Sequence, residues 1–267
     1  MIHSSAIISP GAQLDPSVEV GPFSVIDGNV SLGAGCKVGP HVYLTGHTII
    51  GPDNCFHANC VIGGAPQDVK YKDEPAGLRI GARNLFREGA TVHRSAKLGE
   101  DTIVGSDNFL MVNSHLGHNV RLGSRVIVAS GALLAGHVEV EDNVFISGNC
   151  LVHQFVRIGR LAIMQGGSGI SQDLPPFTVA RGSNNICGLN TVGLRRAGIS
   201  QEERMELKRL YKKLFLSELN LSQIMEEARR EFTSASSRHL LEFIAASKRG
   251  ICRHRGLNFG EDSGDSD

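Results

Sequence analysis

The sequence predicts an all-β solenoid, a parallel β-helix of hexapeptide repeats closed by a C-terminal α-helical appendage, and three observations lead there. Apolar residues recur every six positions through most of the first 170 residues, a glycine often follows them, and beyond the last repeat the apolar spacing becomes helical. The 32 glycines, the absence of tryptophan and only three tyrosines suit a repetitive β structure with many tight turns.

Steps of six from Ile8 give Leu14, Val20, Ile26 and onward to Ile62, every one apolar. The phase fails at Asp68 and Glu74, returns at Ile80 and runs through Leu98 and Val104 to Ile170, 26 hexads in all. A period of six fits neither a helix at 3.6 nor a lone strand at 2. A unit this short cannot bury its own apolar face, so it stacks on its neighbours. Three short strands then form one triangular coil, with one apolar side chain per hexad pointing into the prism. Glycines such as Gly21, Gly33, Gly105 and Gly123 let the backbone turn the corner where a β-carbon would clash. The position two before each apolar residue is also inward and must be small, which accounts for Cys36, Cys60 and Cys150 without any chemistry. Coils spaced by about 4.8 Å and made of three hexads each number between eight and nine.

The stretch 63–79 is largely polar, carries two prolines and drops the inward pattern. It reads as a loop thrown out from the prism, either a functional element on a rigid scaffold or a plain surface excursion. After Gln172-Asp173-Leu174-Pro175-Pro176 helical signals begin. Ser200 with Glu203 makes a capping box, and Met205, Leu207, Leu210, Leu214 and Phe215 form an apolar stripe. A second helix spans Leu221 to Phe232, and a third runs from about Ser237 to Lys248 with Gly250 as its stop. These helices cap the open end of the solenoid and cover its strand edges. The division is therefore a solenoid over 1–190, a helical domain over 191–252, and a polar tail over 253–267 with the composition of a disordered segment.

Charge narrows the function classes. With 27 basic and 27 acidic residues the net charge is zero, so no overall field favours nucleic acid or an anionic membrane. Any anionic substrate must be caught locally. No apolar run is long enough to span a bilayer, and the first residues lack a signal peptide's basic and apolar regions, which predicts a cytosolic protein without membrane insertion. The six cysteines are scattered, with neither zinc-ligand nor disulfide spacing.

Five of the 11 histidines, His93, His115, His118, His137 and His153, fall in one stretch, and none occupies the inward position of a hexad. They are expected on the outside or at corners, where packing does not need them. Residues 18 apart occupy equivalent places on successive coils, so His118, Gly136 and Gln154 form one column with His137 and His153 beside it. His93 precedes His118 by one coil plus seven residues, which places it about a face away. The site then either wraps a corner or is assembled from neighbouring subunits, and a homotrimer with three clefts satisfies the second option. Histidine suits general-base work near neutral pH, its unperturbed pKa being about 6.5. No Ser-His-Asp triad or Gly-x-Ser-x-Gly elbow accompanies these residues, which favours direct attack by a substrate hydroxyl over an acyl-enzyme. A polar groove without activity and a metal site, for which His115 and His118 lie three apart, are the competing readings.

In this order, Pro66-Gln67-Asp68-Val69-Lys70-Tyr71, Val92-His93-Arg94, the block from Gly105 to His118, Ala135-Gly136-His137-Val138, Val152-His153-Gln154-Phe155 and Gln172 to Pro176 resemble the acyl-[acyl-carrier-protein]–UDP-N-acetylglucosamine O-acyltransferase family. The resemblance runs to about residue 250. It implies the left hand of the β-helix, which spacing does not set and which runs against the usual crossover rule. It also implies transfer of a fatty acyl group, often 3-hydroxylated, from acyl carrier protein to the 3-hydroxyl of UDP-N-acetylglucosamine. That reaction opens lipid A synthesis and uses the carrier thioester as co-substrate with no cofactor or metal.

By the same resemblance His118 is the general base and Gly136 supplies the backbone N–H that steadies the oxyanion, a donor type contributing about 3 kcal/mol. Asp68, Lys70, His93, His115, His137, His153 and Gln154 line the substrate cleft. Asn190, Arg195 and Arg196 contact the nucleotide, where arginine suits a diphosphate, and Gly166 limits acyl length. Three positions depart from the pattern: Asn119 stands for an aspartate after the base, Val192 for a glutamate and Ala197 for a basic residue. The rivals are the N-acyltransferase of the same pathway, which carries an added N-terminal domain where the hexads here begin by Ile8, the metal-dependent hydratase of the trimeric β-helix carbonic anhydrase type, and a purely structural solenoid.

Overall fold

The computed structural model describes residues 1–217 and 221–254, and its main body is a left-handed parallel β-helix. Most hexads fold as a two-residue strand, an outward residue followed by an inward one, because alternate side chains of a strand point to opposite faces. Between Ile7–Ile8 and Gly169–Ile170 there are 25 short parallel strands, dealt in turn to three sheets. The first face collects nine, beginning at Ile7–Ile8, and the second collects eight, from Gln13–Leu14 to Arg157–Ile158. The third begins at Glu19–Val20 and is extended by Thr178–Ala180 and the antiparallel strand Ile186–Leu189. Down the first face Ile26, Leu44, Ile62, Val92, Leu116 and Leu134 are all 0% exposed. Burial of each such side chain contributes roughly 1.5–3 kcal/mol.

The small inward position holds Cys36, Cys60 and Cys150, all fully buried, and burial pushes the Cys60 thiol up to about 12, which leaves it inert. On the third face the same position carries an asparagine ladder. Asn84 donates its backbone N–H and its Nδ2 to Asn54 Oδ1 at 3.0 and 2.9 Å, Asn108 N donates to Asn84 Oδ1 at 2.9 Å, and Val126 N donates to Asn108 Oδ1 at 2.7 Å. These rungs also measure the coils, since the steps are 30, 24 and then 18 residues.

Two coils are therefore longer than three hexads. The first excess leaves the prism over 65–76 rather than 63–79, because Val61–Gly64 and Gly77–Ile80 are both strands, and Ile80 pairs with Ile50. The second lies between Thr91–His93 and Asp101–Val104 and contains Leu98, which is 65% exposed and is not an inward residue. Each excess equals a whole number of hexads, so the apolar phase beyond it is unchanged and does not reveal it.

The β-carbon clash expected at the glycine after the inward residue is present, and it is with the neighbouring coil. A Cβ on Gly33 would lie 2.8 Å from the Gly51 carbonyl carbon, and one on Gly105 would lie 2.4 Å from Gly123 O. Crowding between coils selects glycine there. The left-handed backbone that turns the corner falls two residues later, at Phe23, His41, Asp53 and Asn143, with φ between 54° and 59°.

Four helices follow. α1 (Thr191–Arg196) has no counterpart in the sequence expectation and is capped by Asn190. In α2 (Gln201–Phe215) Ser200 Oγ accepts from Glu203 N at 3.2 Å, while the Glu203 carboxylate accepts from Ser236 N at 2.8 Å. α3 is Leu221–Glu231 and α4 is Ala235–Ala245, two residues earlier than expected at its start. Gly250, with φ of +74°, lies past the helix end, where the chain turns to pair Ile251 with Asp173. Leu207, Leu210, Ile224, Leu240 and Leu241 pack with Leu161 and Phe177 of the last coils, whereas Met205 of the expected stripe is exposed. Arg253 bridges to Asn185 and His254 Nδ1 lies 3.1 Å from Tyr211 Oη, so these two residues of the expected tail are tied down. The remainder of that tail, 255–267, lies outside the described residues.

Asn84→Ala should leave Asn108 N without an acceptor inside the prism, at a cost of roughly 1–3 kcal/mol. Urea unfolding of the variant beside the parent protein measures it.

Candidate active site

The first face builds the site. His115 pairs with Leu133 and Leu133 with Leu151, while Leu116, Leu134 and Val152 follow in the same register. Two residues beyond that inward row stand His118, Gly136 and Gln154. Backbone bonds tie this corner together, His137 N donating to His118 O at 2.9 Å and Phe155 N to Gly136 O at 3.2 Å. A cleft of about 520 Å³ opens here, lined by His93, His115, His118, Gly136, His153 and Gln154 together with outward residues of the same face.

His93 belongs to this same face. The coil that follows it has 24 residues, so Thr91 pairs with His115 and Val92 with Leu116, and His93 lies over Gly117. Its ring meets His115 edge-on at 5.0 Å. The expectation that His93 sits a face away came from assuming 18 residues per coil. No corner and no second chain is needed to bring it beside His118.

His118 is only 6% exposed, more enclosed than an outer corner position suggests. The reason is its neighbours. His137 lies edge-on at 5.1 Å and is itself stacked on Phe155 at 4.5 Å, and Nδ1 lies 2.9 Å from Asn119 Oδ1. The opposite nitrogen faces Gly136, where a Cβ would come within 2.6 Å of Nε2, so any side chain at 136 displaces the imidazole. Among the described residues the Gly136 N–H has no hydrogen-bond acceptor. An imidazole and a backbone N–H without an acceptor thus lie next to each other on one wall of the cleft.

Other expected residues are placed less closely. Asp68 and Lys70 stand on the 65–76 excursion, with Asp68 Oδ1 accepting from Lys70 N at 2.9 Å, and it is their neighbour Gln67 that lines the cleft. Arg94 anchors the excursion by donating to Tyr71 Oη at 3.1–3.2 Å and to Gly63 O at 2.8 Å. His153 is exposed at the lip, 3.4 Å from Arg249 Nη2. Asn190 is buried and spends its side chain on the fold, accepting from Gly193 N at 2.8 Å and donating to Leu161 O at 2.8 Å. Arg195 and Arg196 are exposed on α1 and do not line the cleft. Gly166 is exposed at the corner between the third and first faces, the far edge of the first face from His118. Among the cleft residues that were not anticipated are Leu133 and Leu151, 43% and 55% exposed. Their signal is a leucine at the outward place of consecutive hexads.

Burial, and then the neighbouring His115, pushes His93 down to about 4, and burial also lowers His115 and His137. These rings are neutral at pH 7, and His93 Nδ1 is buried without a hydrogen-bond partner. Among the described residues no three His, Cys, Asp or Glu side chains come together as metal ligands. Because the unfolded chain binds a proton near pH 6.5 that folded His93 refuses until about 4, this group favours the folded state fully above pH 6.5 and loses that contribution as the pH falls toward 4. The urea midpoint should drop between pH 7 and 5, and His93→Gln should flatten that drop.

Comparison with known proteins places the chain in a family. A family profile described as UDP-N-acetylglucosamine O-acyltransferase, domain 2, matches residues 173–252, and the bacterial transferase hexapeptide profile matches 29–64 and 101–136. The chain is 46% identical over 255 residues to the acyl-[acyl-carrier-protein]–UDP-N-acetylglucosamine O-acyltransferase of Thermodesulfovibrio yellowstonii, covering 94% of this chain and 99% of that one. The enzyme of the same description from Herminiimonas arsenicoxydans is 45% identical, covering 95% and 99%. Among solved structures, the UDP-N-acetylglucosamine acyltransferase of Francisella novicida superposes with a TM-score of 0.90 at 34% identity, covering 95% of this chain and 94% of that one. That of Campylobacter jejuni does so at 0.90 and 32%, covering 96% and 100%. Near-complete coverage in sequence and in fold shows that the chain belongs to the acyl-[acyl-carrier-protein]–UDP-N-acetylglucosamine O-acyltransferase family.

Proposed function

We propose that this protein moves a fatty acyl group from the thioester of acyl carrier protein to the 3-hydroxyl of UDP-N-acetylglucosamine, the first step of lipid A biosynthesis, in the cytoplasm. The observation that carries the reading is the close approach of the His118 ring to Gly136, whose N–H has no acceptor among the described residues, beside the exposed Leu133 and Leu151. His118 takes the proton as the sugar oxygen attacks the thioester carbon, and the Gly136 N–H donates to the developing oxyanion, worth about 3 kcal/mol in the transition state. Collapse of the intermediate expels the carrier's thiolate, which recovers the proton from the imidazolium. No cofactor enters this sequence.

The acyl chain lies along Leu133 and Leu151, whose row runs from coil to coil on the first face and continues at Gly169, three residues after Gly166. A Cβ at Gly166 would meet Gly148 O at 3.5 Å, ordinary contact, so the position accepts a side chain and can set chain length. His93, His115, His137, His153, Gln154, Asp68 and Lys70 surround the sugar and the thioester. Arg195 and Arg196 receive the diphosphate, and Asn190 serves them by capping the helix that carries them.

A homotrimer completes this arrangement. From Leu85 onward the outward row of the third face is apolar, with Leu85, Phe109, Ile127, Phe145, Ile163 and Val179, whereas the second face presents Arg79, Arg121, Glu139 and Arg157 beside Ile49 and Ile103. An apolar face of this size is stabilised by a partner. In a ring of three, each third face closes the first-face groove of its neighbour, and α1 of a neighbouring copy brings the arginines.

Purified protein incubated with UDP-N-acetylglucosamine and a panel of acyl carrier thioesters should yield a product heavier by one acyl group, read by mass spectrometry. His118→Ala should reduce turnover by roughly a hundredfold or more with the fold intact, and a mild loss removes His118 as base. On the same panel Gly166→Met should shift preference to shorter chains. Sedimentation should return three chain masses.

A further inference from the structure

The second excursion, 94–100, is a feature of the fold that the proposed function leaves without a task, and its buried contacts lead to the base. Ser95 is 0% exposed and Asn119 7% exposed, although both are polar and neither is an inward hexad residue. Ala96 N donates to Asn119 Oδ1 at 3.0 Å, and Asn119 Nδ2 donates to Ser95 Oγ at 2.6 Å. Ser95 Oγ uses its own proton on Lys97 O at 3.2 Å, so toward Asn119 it is an acceptor. The backbone of Asn119 is held in the left-handed region, φ +59°, by donation from its N–H to the buried Thr102 Oγ1 at 2.8 Å.

These bonds leave the amide one orientation. A backbone N–H can only donate, so the atom facing Ala96 is the oxygen, and reversing the amide would set N–H against N–H. Oδ1 is therefore also the atom 2.9 Å from His118 Nδ1. An amide oxygen only accepts, which requires Nδ1 to carry the proton. A neutral imidazole has one N–H, so Nε2 is bare, and Nε2 is the nitrogen beside Gly136.

We infer that Asn119, held by Ser95 and Ala96 of the 94–100 excursion, is a positioning residue that keeps the proton of His118 on Nδ1 and presents Nε2 as the base. The excursion is thus part of the active-site architecture. Being neutral, Asn119 acts through orientation and tautomer and lends no charge to the imidazolium. The other titratable groups facing His118 are His137, edge-on at 5.1 Å, and His93, both held neutral at pH 7 by burial. The catalytic consequence rests on the proposed function, whereas the tautomer does not.

The test is a long-range proton–nitrogen correlation spectrum of the 15N-labelled protein at pH 8, with kinetics of the variants. The parent should show His118 protonated at Nδ1. Asn119→Ala should move the proton to Nε2 and lower kcat by about tenfold or more while KM for the sugar nucleotide stays within about twofold, as expected for loss of a base and not of a binding contact. Asn119→Asp should restore the Nδ1 proton and the turnover, and should move the acid limb of the kcat/KM profile to higher pH, because a carboxylate favours the imidazolium. Ser95→Ala, which frees the amide to turn, should fall between Asn119→Ala and the parent. A parent protein with its proton on Nε2, or an Asn119→Ala variant that keeps both the Nδ1 proton and the turnover, overturns the inference. An Nδ1 proton in a protein that transfers no acyl group supports the clamp and overturns only the reaction.

Discussion

Hydrogen bonding between successive coils is the constraint from which the rest of this structure follows. A two-residue strand satisfies its N–H and C=O groups only through the coils on either side. Register is therefore passed from coil to coil, as when His115 pairs with Leu133 and Leu133 with Leu151. His118 and Gly136 gain their mutual position from this ladder, not from a loop. The rigidity suits the proposed reaction, in which a base and an oxyanion donor must meet one carbonyl group, since misplacement of about 1 Å is costly.

The same ladder separates tasks by face. The inward rows of strand residues are apolar on all three sheets, while in the later coils the outward residues differ: His115, Leu133 and Leu151 on the first, Arg121, Glu139 and Arg157 on the second, and Phe109, Ile127, Phe145 and Ile163 on the third. Insertions are absorbed without disturbing this division because each adds whole hexads. One excursion brings Gln67 to the cleft, and the other reaches Asn119, the neighbour of His118, through Ser95. The asparagine ladder of Asn54, Asn84 and Asn108 carries hydrogen bonding across both long coils, where a strict 18-residue repeat is interrupted.

Much of the site was legible. The column of His118, Gly136 and Gln154 follows from spacing alone, because their coils have the same length. His93 was misplaced by the same arithmetic, since an insertion of one hexad shifts a residue by a whole face and leaves no trace in the apolar phase. Asn190 shows a different limit. Its residue type fits nucleotide contact as well as helix capping, and only its bonds to Gly193 and Leu161 reveal where its polar atoms are engaged.

The amino-acid sequence by itself determined the solenoid, the inward rows, the three capping helices and the histidine column, because periodic burial leaves one way to place apolar side chains. Tertiary structure alone decided how many residues each coil contains, how deeply His118 is enclosed, and which atom of Asn119 faces it. Those depend on hydrogen bonds between segments such as Ser95 and Asn119, which lie 24 residues apart. A pattern of hydrophobicity does not encode the direction in which a side-chain amide points.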